Sequence, residues 1–328
     1  MRSGRTLALL LPCLMMLACP PARAQTVWRM TTEYPASAIP GEGVADFAGR
    51  IAGSTGGRLT VEPSYDAALG VKSAGMPEAV RNGGLEAGDA FGGAMSATDP
   101  IFALSSLPFV ANSVAEAKRL ATLARADYER ALAGHGLRLL YLTPWPPSGI
   151  WSKTALASPG DLRALSIRTY DSTSSDVMKK AGAQAFNISF ADAQARVRDG
   201  QVNAVLSSGD GGAGRKLWEQ LPYFAEINYA VPLSMAFVSA EAYEALPPDL
   251  RQAVDAAAAA TEARQWAAVE TRLGENYARM RQNGVAILAP VDPAILAGLK
   301  AASTDAVRGW AASAGPRAAA LLEAFERR

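Results

Sequence analysis

A long alanine-rich stretch constrains the fold of this chain most. Residues 248–283 contain few helix breakers and include an unbroken run of five alanines at 256–260. They predict one continuous helix, because alanine has the highest helix propensity. That helix is too long for one small lobe. With 328 residues, 49% of them hydrophobic, the chain is large enough for more than one core. We therefore expect two lobes, with this helix bracing both.

The rest of the chain alternates short apolar segments with segments of helical spacing. Residues 27–32 predict a first strand, and Val44, Phe47 and Ile51 follow at helical spacing within residues 43–53. Further strands are predicted at residues 59–63, 87–93, 137–142, 166–169, 184–188 and 202–206, with helices between them. This order is typical of an α/β fold with largely parallel sheets.

A proline-rich segment indicates where the chain passes from one lobe to the other. Trp145-Pro146-Pro147-Ser148-Gly149 cannot be helix or central strand, because proline lacks a backbone donor and fixes φ. Residues 229–238 form a long apolar stretch suited to a return strand. We therefore expect one lobe from residues 25–148 plus about 236–278, and a second from about 149–235 plus 279–328.

The first residues predict a secretory signal peptide. Arg2 and Arg5 form a charged start, residues 7–18 an apolar segment, and Ala22-Arg23-Ala24 a cleavage site before Gln25. Residues 1–24 would then be removed, leaving a periplasmic product that is not stably inserted in a membrane. A membrane anchor is the alternative, but the apolar run is shorter than the roughly 20 residues that a spanning helix needs.

Cysteine and charge content exclude several classes of protein. Both cysteines, Cys13 and Cys19, lie in the predicted signal peptide, so the remaining chain has no thiol chemistry and no disulfide. Cys19 could be lipidated, but the residues before it match a lipid-attachment site poorly. Removing residues 1–24 takes three of the 32 basic residues and none of the 31 acidic ones, which leaves a net charge of −2. No basic run suggests binding to nucleic acid.

Enzyme chemistry also finds little support in the sequence. His135 is the single histidine and sits between two glycines, so a histidine metal site or a serine-histidine triad would depend on one loop imidazole. The G-x-S-x-G, H-E-x-x-H and S-x-x-K patterns are absent from the sequence. We expect a binding protein without a cofactor or metal. A secreted hydrolase that uses Ser207 or Ser208 remains the competing class.

Arg168 is the first candidate for ligand binding. It ends the predicted strand at 166–169, and the carboxyl ends of parallel strands face the crevice that binds ligands. A guanidinium there can hold a carboxylate through two parallel hydrogen bonds. The alternative is a surface salt bridge with Asp171 or Asp161.

Aromatic and polar residues near the same place complete the candidate set. Trp145, Trp151 and Tyr170 surround the predicted crossing and strand end and could form an amphiphilic pocket wall, or each could belong to the core. Ser207 and Ser208 begin a glycine-rich segment after a strand, read here as a loop that could bind an anion; it lacks the P-loop ending. The remaining candidates are Lys72 as a second cation, Phe91 and Glu33.

Several short motifs together resemble one family. The segment Asp161-Leu162-Arg163-Ala164-Leu165-Ser166-Ile167-Arg168 is similar to the D-L-K-G-L-K-I-R signature of TRAP transporter substrate-binding proteins, the DctP-like family. Thr55-Gly56-Gly57-Arg58-Leu59 resembles its T-G-G-R-L, Leu107-Pro108-Phe109 its L-P-F, and Ser189-Phe190-Ala191-Asp192-Ala193 the segment before a helix of the second lobe. The motifs cover essentially the whole chain after residue 24, in the family's order.

The resemblance implies an extracytoplasmic solute receptor with a two-lobed, periplasmic-binding-protein-like α/β fold, a ligand cleft between the lobes and a long helix spanning both. It would capture an organic acid and deliver it to a membrane permease with a small and a large subunit. In the family the arginine that matches Arg168 binds the ligand carboxylate. A receptor for an ABC importer or a sensor kinase is the alternative.

Two departures from the family pattern bear on the ligand. Where the family frequently has an asparagine, this chain has Ser207 or Ser208. Many members also have a second arginine about twenty residues before the one that binds the carboxylate, and this chain has Ser148-Gly149-Ile150-Trp151 there. With one clamp we expect a monocarboxylate with an apolar or aromatic body, such as a 2-oxo or aromatic acid. A dicarboxylate or a sugar acid is the alternative; a second carboxylate would need Lys72 to reach it.

Overall fold

The computed structural model describes residues 25–327, and the predicted signal peptide lies outside them. The chain forms two β-sheets covered by helices. The strands are β1 (Thr26–Thr32), β2 (Leu59–Ser64), β3 (Ala87–Phe91), β4 (Leu137–Pro144), β5 (Ser148–Ser152), β6 (Ser166–Thr169), β7 (Gln184–Asn187), β8 (Ala204–Ser208), β9 (Tyr223–Ala225), β10 (Leu233–Ser239) and β11 (Ala286–Leu288). The helices are α1 (Ile39–Thr55), α2 (Met76–Arg81), α3 (Val114–Gly134), α4 (Ser172–Lys180), α5 (Phe190–Arg198), α6 (Gly209–Gly214), α7 (Ala240–Glu244), α8 (Pro248–Gln282), α9 (Pro293–Ala314) and α10 (Pro316–Glu326).

The first lobe is built on a five-stranded sheet in the order β2-β1-β3-β10-β4. β1 is parallel to β2 and β3, whereas β10 is antiparallel to both of its neighbours. Trp28 packs with Phe47 of α1 on one face, and Leu142 packs with Tyr128 of α3 on the other. Because both faces are covered there, β3, β4 and β10 are buried along almost their whole length, as the sequence suggested for residues 137–142.

The second lobe is built on a six-stranded sheet in the order β11-β9-β5-β8-β6-β7. Only β5 is antiparallel to its neighbours. The sheets are therefore mixed, and the expectation of largely parallel sheets was too strong. The chain crosses into the second lobe on β5 and returns to the first lobe on β10. Both strands begin at the cleft, whereas their neighbours end there, so each is antiparallel to its neighbours.

The crossing segment is shorter than predicted. Trp145, Pro146 and Pro147 connect the two lobes, but Ser148 and Gly149 already belong to β5, which lies between β8 and β9. The prediction that this segment excludes a central strand was wrong for those two residues. Pro146 and Pro147 precede the first residue of β5, so their missing N–H groups remove no hydrogen bond from the sheet.

The long predicted helix is present as α8, with 35 residues. It begins with Pro248, whose missing N–H is not needed in the first turn. Its first half packs against α1 and β4 of the first lobe, and its second half packs against α6 of the second. It therefore braces both lobes as expected. No helix within residues 25–327 is long and apolar enough to cross a membrane.

The C-terminal end of the chain differs from the expected division. α9 packs against α4 of the second lobe, but α10 packs against α3 of the first. Leu321, Leu322 and Phe325 of α10 belong to the apolar core of the first lobe. Residues 316–326 therefore return to the first lobe, a partner that their apolar spacing alone does not specify.

Candidate ligand-binding site

A small cavity lies between the two lobes, where the cleft-facing ends of their strands meet. It encloses no more than about 320 Å³ of empty volume. Tyr34 and Phe91 reach it from loops and strand ends of the first lobe, and Arg168 and Tyr170 reach it from the second. The lining residues are Tyr34, Phe91, Trp145, Ser148, Arg168, Tyr170, Phe190, Ser207, Ser208 and Pro232.

Arg168 is the only charged residue in this lining. It lies in β6, and only 3% of its surface is exposed. Its Nε donates to the carbonyl oxygen of Ile188 at 2.7 Å, and its Nη1 donates to that of Leu206 at 3.3 Å. These two backbone acceptors fix the plane of the guanidinium. Burial lowers the pKa of Arg168, and nearby Tyr34 and Glu33 oppose this effect.

The alternative role for Arg168, a surface salt bridge, was wrong. Asp161 is bound to its own turn, where it accepts from the backbone of Ala157 and Ser158. Asp171 caps α4 and accepts from Ser106 of the first lobe at 2.8 Å. Within residues 25–327 no carboxylate lies within 4 Å of the Arg168 guanidinium. Its buried charge is therefore balanced by no ion pair in this part of the chain.

Aromatic rings from both lobes form the wall of the cavity. Tyr34 of the first lobe contacts Phe190 of the second, with ring centroids 4.8 Å apart. Phe91 of the first lobe contacts Tyr170 of the second at 5.0 Å. Trp145, at the crossing, packs against Tyr34 at 4.7 Å. Of the aromatic candidates, the structure brings Trp145, Tyr170 and Phe91 to the cavity; Tyr34 and Phe190 were missed.

Trp151 lies outside the cavity. Its ring is fully buried on the far side of β5, where it packs against Phe224 and its Nε1 donates to the carbonyl oxygen of Ser208 at 3.1 Å. Successive residues of a strand point to opposite faces. Since Ser148 and Ile150 face the cleft side of β5, Trp151 faces away. The core alternative therefore describes its position.

The glycine-rich segment is a short helix, and its interpretation as a loop was wrong. Ser207 and Ser208 end β8, and Oγ of Ser208 caps α6 by accepting from the N–H of Gly211 at 3.1 Å. A side chain at Gly212 would overlap the indole ring of Trp151. The glycines thus allow close packing of α6 on β5, while Ser207 and Ser208 line the cavity.

The other charged candidates lie beside the cavity without lining it. Lys72 is half-exposed and paired with Asp192, Nζ to Oδ2, at 2.7 Å. Glu33 is 3% exposed and accepts from the N–H groups of Ser73 and Phe190. Lys72 is thus not a second cation of the cavity in this arrangement. Its partner stands 120 positions away in the sequence, so spacing gave no signal for the pair.

Comparison with known proteins identifies one family. The model of the family described as bacterial extracellular solute-binding protein, family 7 (DctP) matches residues 30–312. None of the curated proteins compared is significantly similar to the chain.

Solved structures are similar over almost the whole chain. An extracytoplasmic solute receptor of Bordetella pertussis that binds pyroglutamic acid is 27% identical, with a TM-score of 0.88 over 92% of this chain and 100% of that one. A TRAP solute-binding protein from a marine metagenome, specific for pyroglutamate, is also 27% identical, with a TM-score of 0.88 over 93% and 100%.

A Sulfitobacter TRAP solute-binding protein with bound galacturonate is 18% identical, with a TM-score of 0.84 over 92% and 100%; at that identity it shows the fold alone. These relatives are solute receptors and not enzymes. Their TM-scores confirm the two-lobed receptor fold predicted from the motifs. With a family match over more than half of its length, the chain belongs to the bacterial extracellular solute-binding proteins of family 7, the DctP family.

Proposed function

We propose that this protein is the periplasmic receptor of a TRAP transporter and captures a small organic monocarboxylate through Arg168. The single observation that carries this proposal is a buried guanidinium, without a carboxylate partner in the described residues, inside a cavity between two lobes. A buried charge without a partner is strongly destabilising. An anionic ligand supplies the partner.

The charge of the lining favours one carboxylate and no ammonium group. Arg168 matches one carboxylate, and a second would find no further cation in the lining. An amino acid would bring a positive charge to a cavity that has no acidic lining residue. Desolvating an unmatched charge costs several kcal/mol. Dicarboxylates and zwitterionic amino acids are therefore disfavoured relative to a monocarboxylate with a neutral body.

The size and polarity of the cavity favour a compact ligand. The cavity holds no more than about 320 Å³ of empty space, open solvent included, so only a small molecule fits within it. The Tyr170 hydroxyl is buried without a hydrogen-bond partner in the described part of the chain, and Ser148 and Ser207 add further hydroxyls. A neutral polar group on the ligand can satisfy them. Pyroglutamate has this form and is bound by two of the similar receptors; small 2-oxo and aromatic acids are the next candidates.

Binding would couple recognition to closure. The two backbone carbonyls hold the guanidinium ready, so little ordering is required when the carboxylate arrives. Rings from both lobes cover the ligand only when the lobes are together, and ligand binding therefore favours the closed state. Delivery to a permease with a small and a large subunit, after removal of residues 1–24, completes the proposed role.

The test is ligand binding by residues 25–328, measured by thermal shift and calorimetry with pyroglutamate, pyruvate, galacturonate, succinate and glutamate. A ligand that binds only the folded state raises the melting temperature. We expect a rise with pyroglutamate or another monocarboxylate. Arg168→Ala should weaken binding at least about 100-fold, as truncation of one partner of a buried charge pair does.

The matched control is Arg198→Ala, an exposed arginine of the same lobe, which should bind like the wild type. If Arg168→Ala bound every acid as tightly as the wild type, the role of Arg168 would be wrong. If only succinate or glutamate raised the melting temperature, the ligand class would be wrong while the receptor role would stand. If only galacturonate did, the compact size of the ligand would be wrong.

A further inference from the structure

One rim of the cleft carries polar contacts that join the lobes without lining the cavity. At its centre is Glu33, in the loop after β1. Its Oε2 accepts from the N–H of Ser73, in the first lobe, at 2.6 Å. Its Oε1 accepts from the N–H of Phe190, in the second lobe, at 3.0 Å. One buried carboxylate thus holds a backbone donor of each lobe.

The contact with Phe190 is favourable for a specific reason. Phe190 is the first residue of α5, and the first N–H groups of a helix have no acceptor within the helix. A carboxylate at this end also interacts favourably with the helix dipole. Hydrogen bonds to an ionised acceptor are roughly twice as strong as neutral ones. Opening the cleft breaks this bond and exposes both groups to water.

Two ion pairs flank Glu33 on the same rim. Lys72 of the first lobe is paired with Asp192 of α5 at 2.7 Å. Arg215, which follows α6 in the second lobe, reaches Oδ1 of Asp66 at 3.0 Å and the carbonyl oxygen of Glu33 at 3.3 Å. All three contacts run from loops of the first lobe to the region of α5 and α6.

The loop that carries Asp66 is held in a strained conformation. Asp66 and Ala67 have φ values of 57° and 52°, in the left-handed region that non-glycine residues rarely adopt. Their N–H groups donate to the carbonyl oxygens of Tyr34 and Thr32. Strain of this kind persists only where surrounding contacts enforce it. Here it fixes the Asp66 carboxylate beside Arg215.

We propose that these residues form an interlobe latch, defined as Glu33, Asp66 and Lys72 of the first lobe with Phe190 N–H, Asp192 and Arg215 of the second. The latch stabilises the closed state and sets the rate at which the ligand leaves, although none of its polar groups lines the cavity. The proposal rests on the receptor function, since closure is the state that holds the ligand.

The test compares Glu33→Gln with the wild type by stopped-flow binding of pyroglutamate. The amide offers one acceptor where the carboxylate offers two, so the side chain loses either its bond to Phe190 or the bond to Ser73 that holds it in position. We expect dissociation to become roughly 10- to 100-fold faster, as loss of a hydrogen bond to a charged group predicts, with the association rate unchanged. Glu78→Gln, at an exposed position of α2, is the matched control.

A second variant, Lys72→Ala, tests the latch if Glu33→Gln misfolds. A second readout, the distance between the lobes, tests it if pyroglutamate is not the ligand. Lys72→Ala removes only the half-exposed pair and should speed dissociation less than Glu33→Gln. Because residues 25–328 lack cysteine, spin labels at Asn82→Cys and Arg198→Cys report the distance between the lobes with and without ligand. Glu33→Gln should increase the open population.

Failure of the latch and failure of the proposed function look different. A wild type that binds no monocarboxylate would overturn the function, and the label distances would still test the latch. Equal dissociation rates together with equal distance distributions in the wild type and Glu33→Gln would overturn the latch. Loss of association in Glu33→Gln would also overturn it, because that result places Glu33 in ligand recognition.

Discussion

At the scale of single residues, Asp89 is a buried acid that the proposed binding role does not use. It lies in β3, and its Oδ1 accepts from Oγ1 of Thr32 at 3.0 Å. Its Oδ2 is buried without a partner in the described residues. Burial raises the pKa of Asp89 to about 7. The folded protein therefore keeps a proton that the unfolded chain has already lost above its ordinary pKa of about 4.

This difference makes stability depend on pH in a defined direction. The folded state binds more protons than the unfolded state between about pH 4 and 7, so the contribution of Asp89 to stability falls as pH rises through this range. Between pH 5 and 7.5 the expected loss is on the order of 2 kcal/mol. Urea unfolding at both values should show that Asp89→Asn, which keeps an acceptor for Thr32, removes this loss.

Asp176→Asn, at an exposed position of α4, serves as the control and should leave the pH dependence unchanged. If Asp89→Asn had the same pH dependence as the wild type, the carboxyl group of Asp89 would be ionised in the folded protein throughout this range.

At the scale of elements, the turn after β3 meets the start of α4 across the cleft. A Cβ atom at Gly93 would lie 2.6 Å from Oδ2 of Asp171, 2.7 Å from Cε1 of Phe91 and 2.7 Å from Oγ of Ser106. Real Cβ atoms do not approach this closely, and the two oxygens are already hydrogen-bonded to each other. Glycine is therefore required here for the two elements to meet.

The expected result of Gly93→Ala is a protein that folds but closes incompletely. The added methyl group displaces Asp171 across the cleft and also Phe91 and Ser106 within the first lobe. Calorimetry should show ligand affinity lower by roughly tenfold or more, the order expected for overpacking that costs 1–3 kcal/mol. Gly134→Ala, where a Cβ meets nothing within 4 Å, should bind normally; equal affinities of the two variants would contradict the steric account.

The elements themselves were largely predictable, and the contacts across the cleft were not. Local patterns predicted α8 and the position of Arg168 at the end of β6, because both depend on nearby sequence. The orientation of Trp151 depends on the residue at which β5 begins, and a shift of one position reverses it. Glu33 meets Phe190 only after both lobes have folded, so no local spacing indicates their contact.

At the scale of the whole molecule, the two lobes are joined by strand crossings and by α8. Aromatic pairs and the latch meet only when the lobes are together. Small-angle scattering should therefore give a smaller radius of gyration with ligand than without it. Arg168→Ala, which lacks the carboxylate partner, should show no change at the same ligand concentration. An unchanged radius in the wild type would count against closure on binding.

The position of β10 also affects how the protein can be made. β10 lies between β3 and β4 in the first sheet, yet residues 233–239 are synthesised almost a hundred positions after β4. Until they emerge, the two parts of that sheet present open edges to each other with no strand between them. The order of synthesis is therefore not the order of folding, and the first lobe cannot be complete before most of the chain exists.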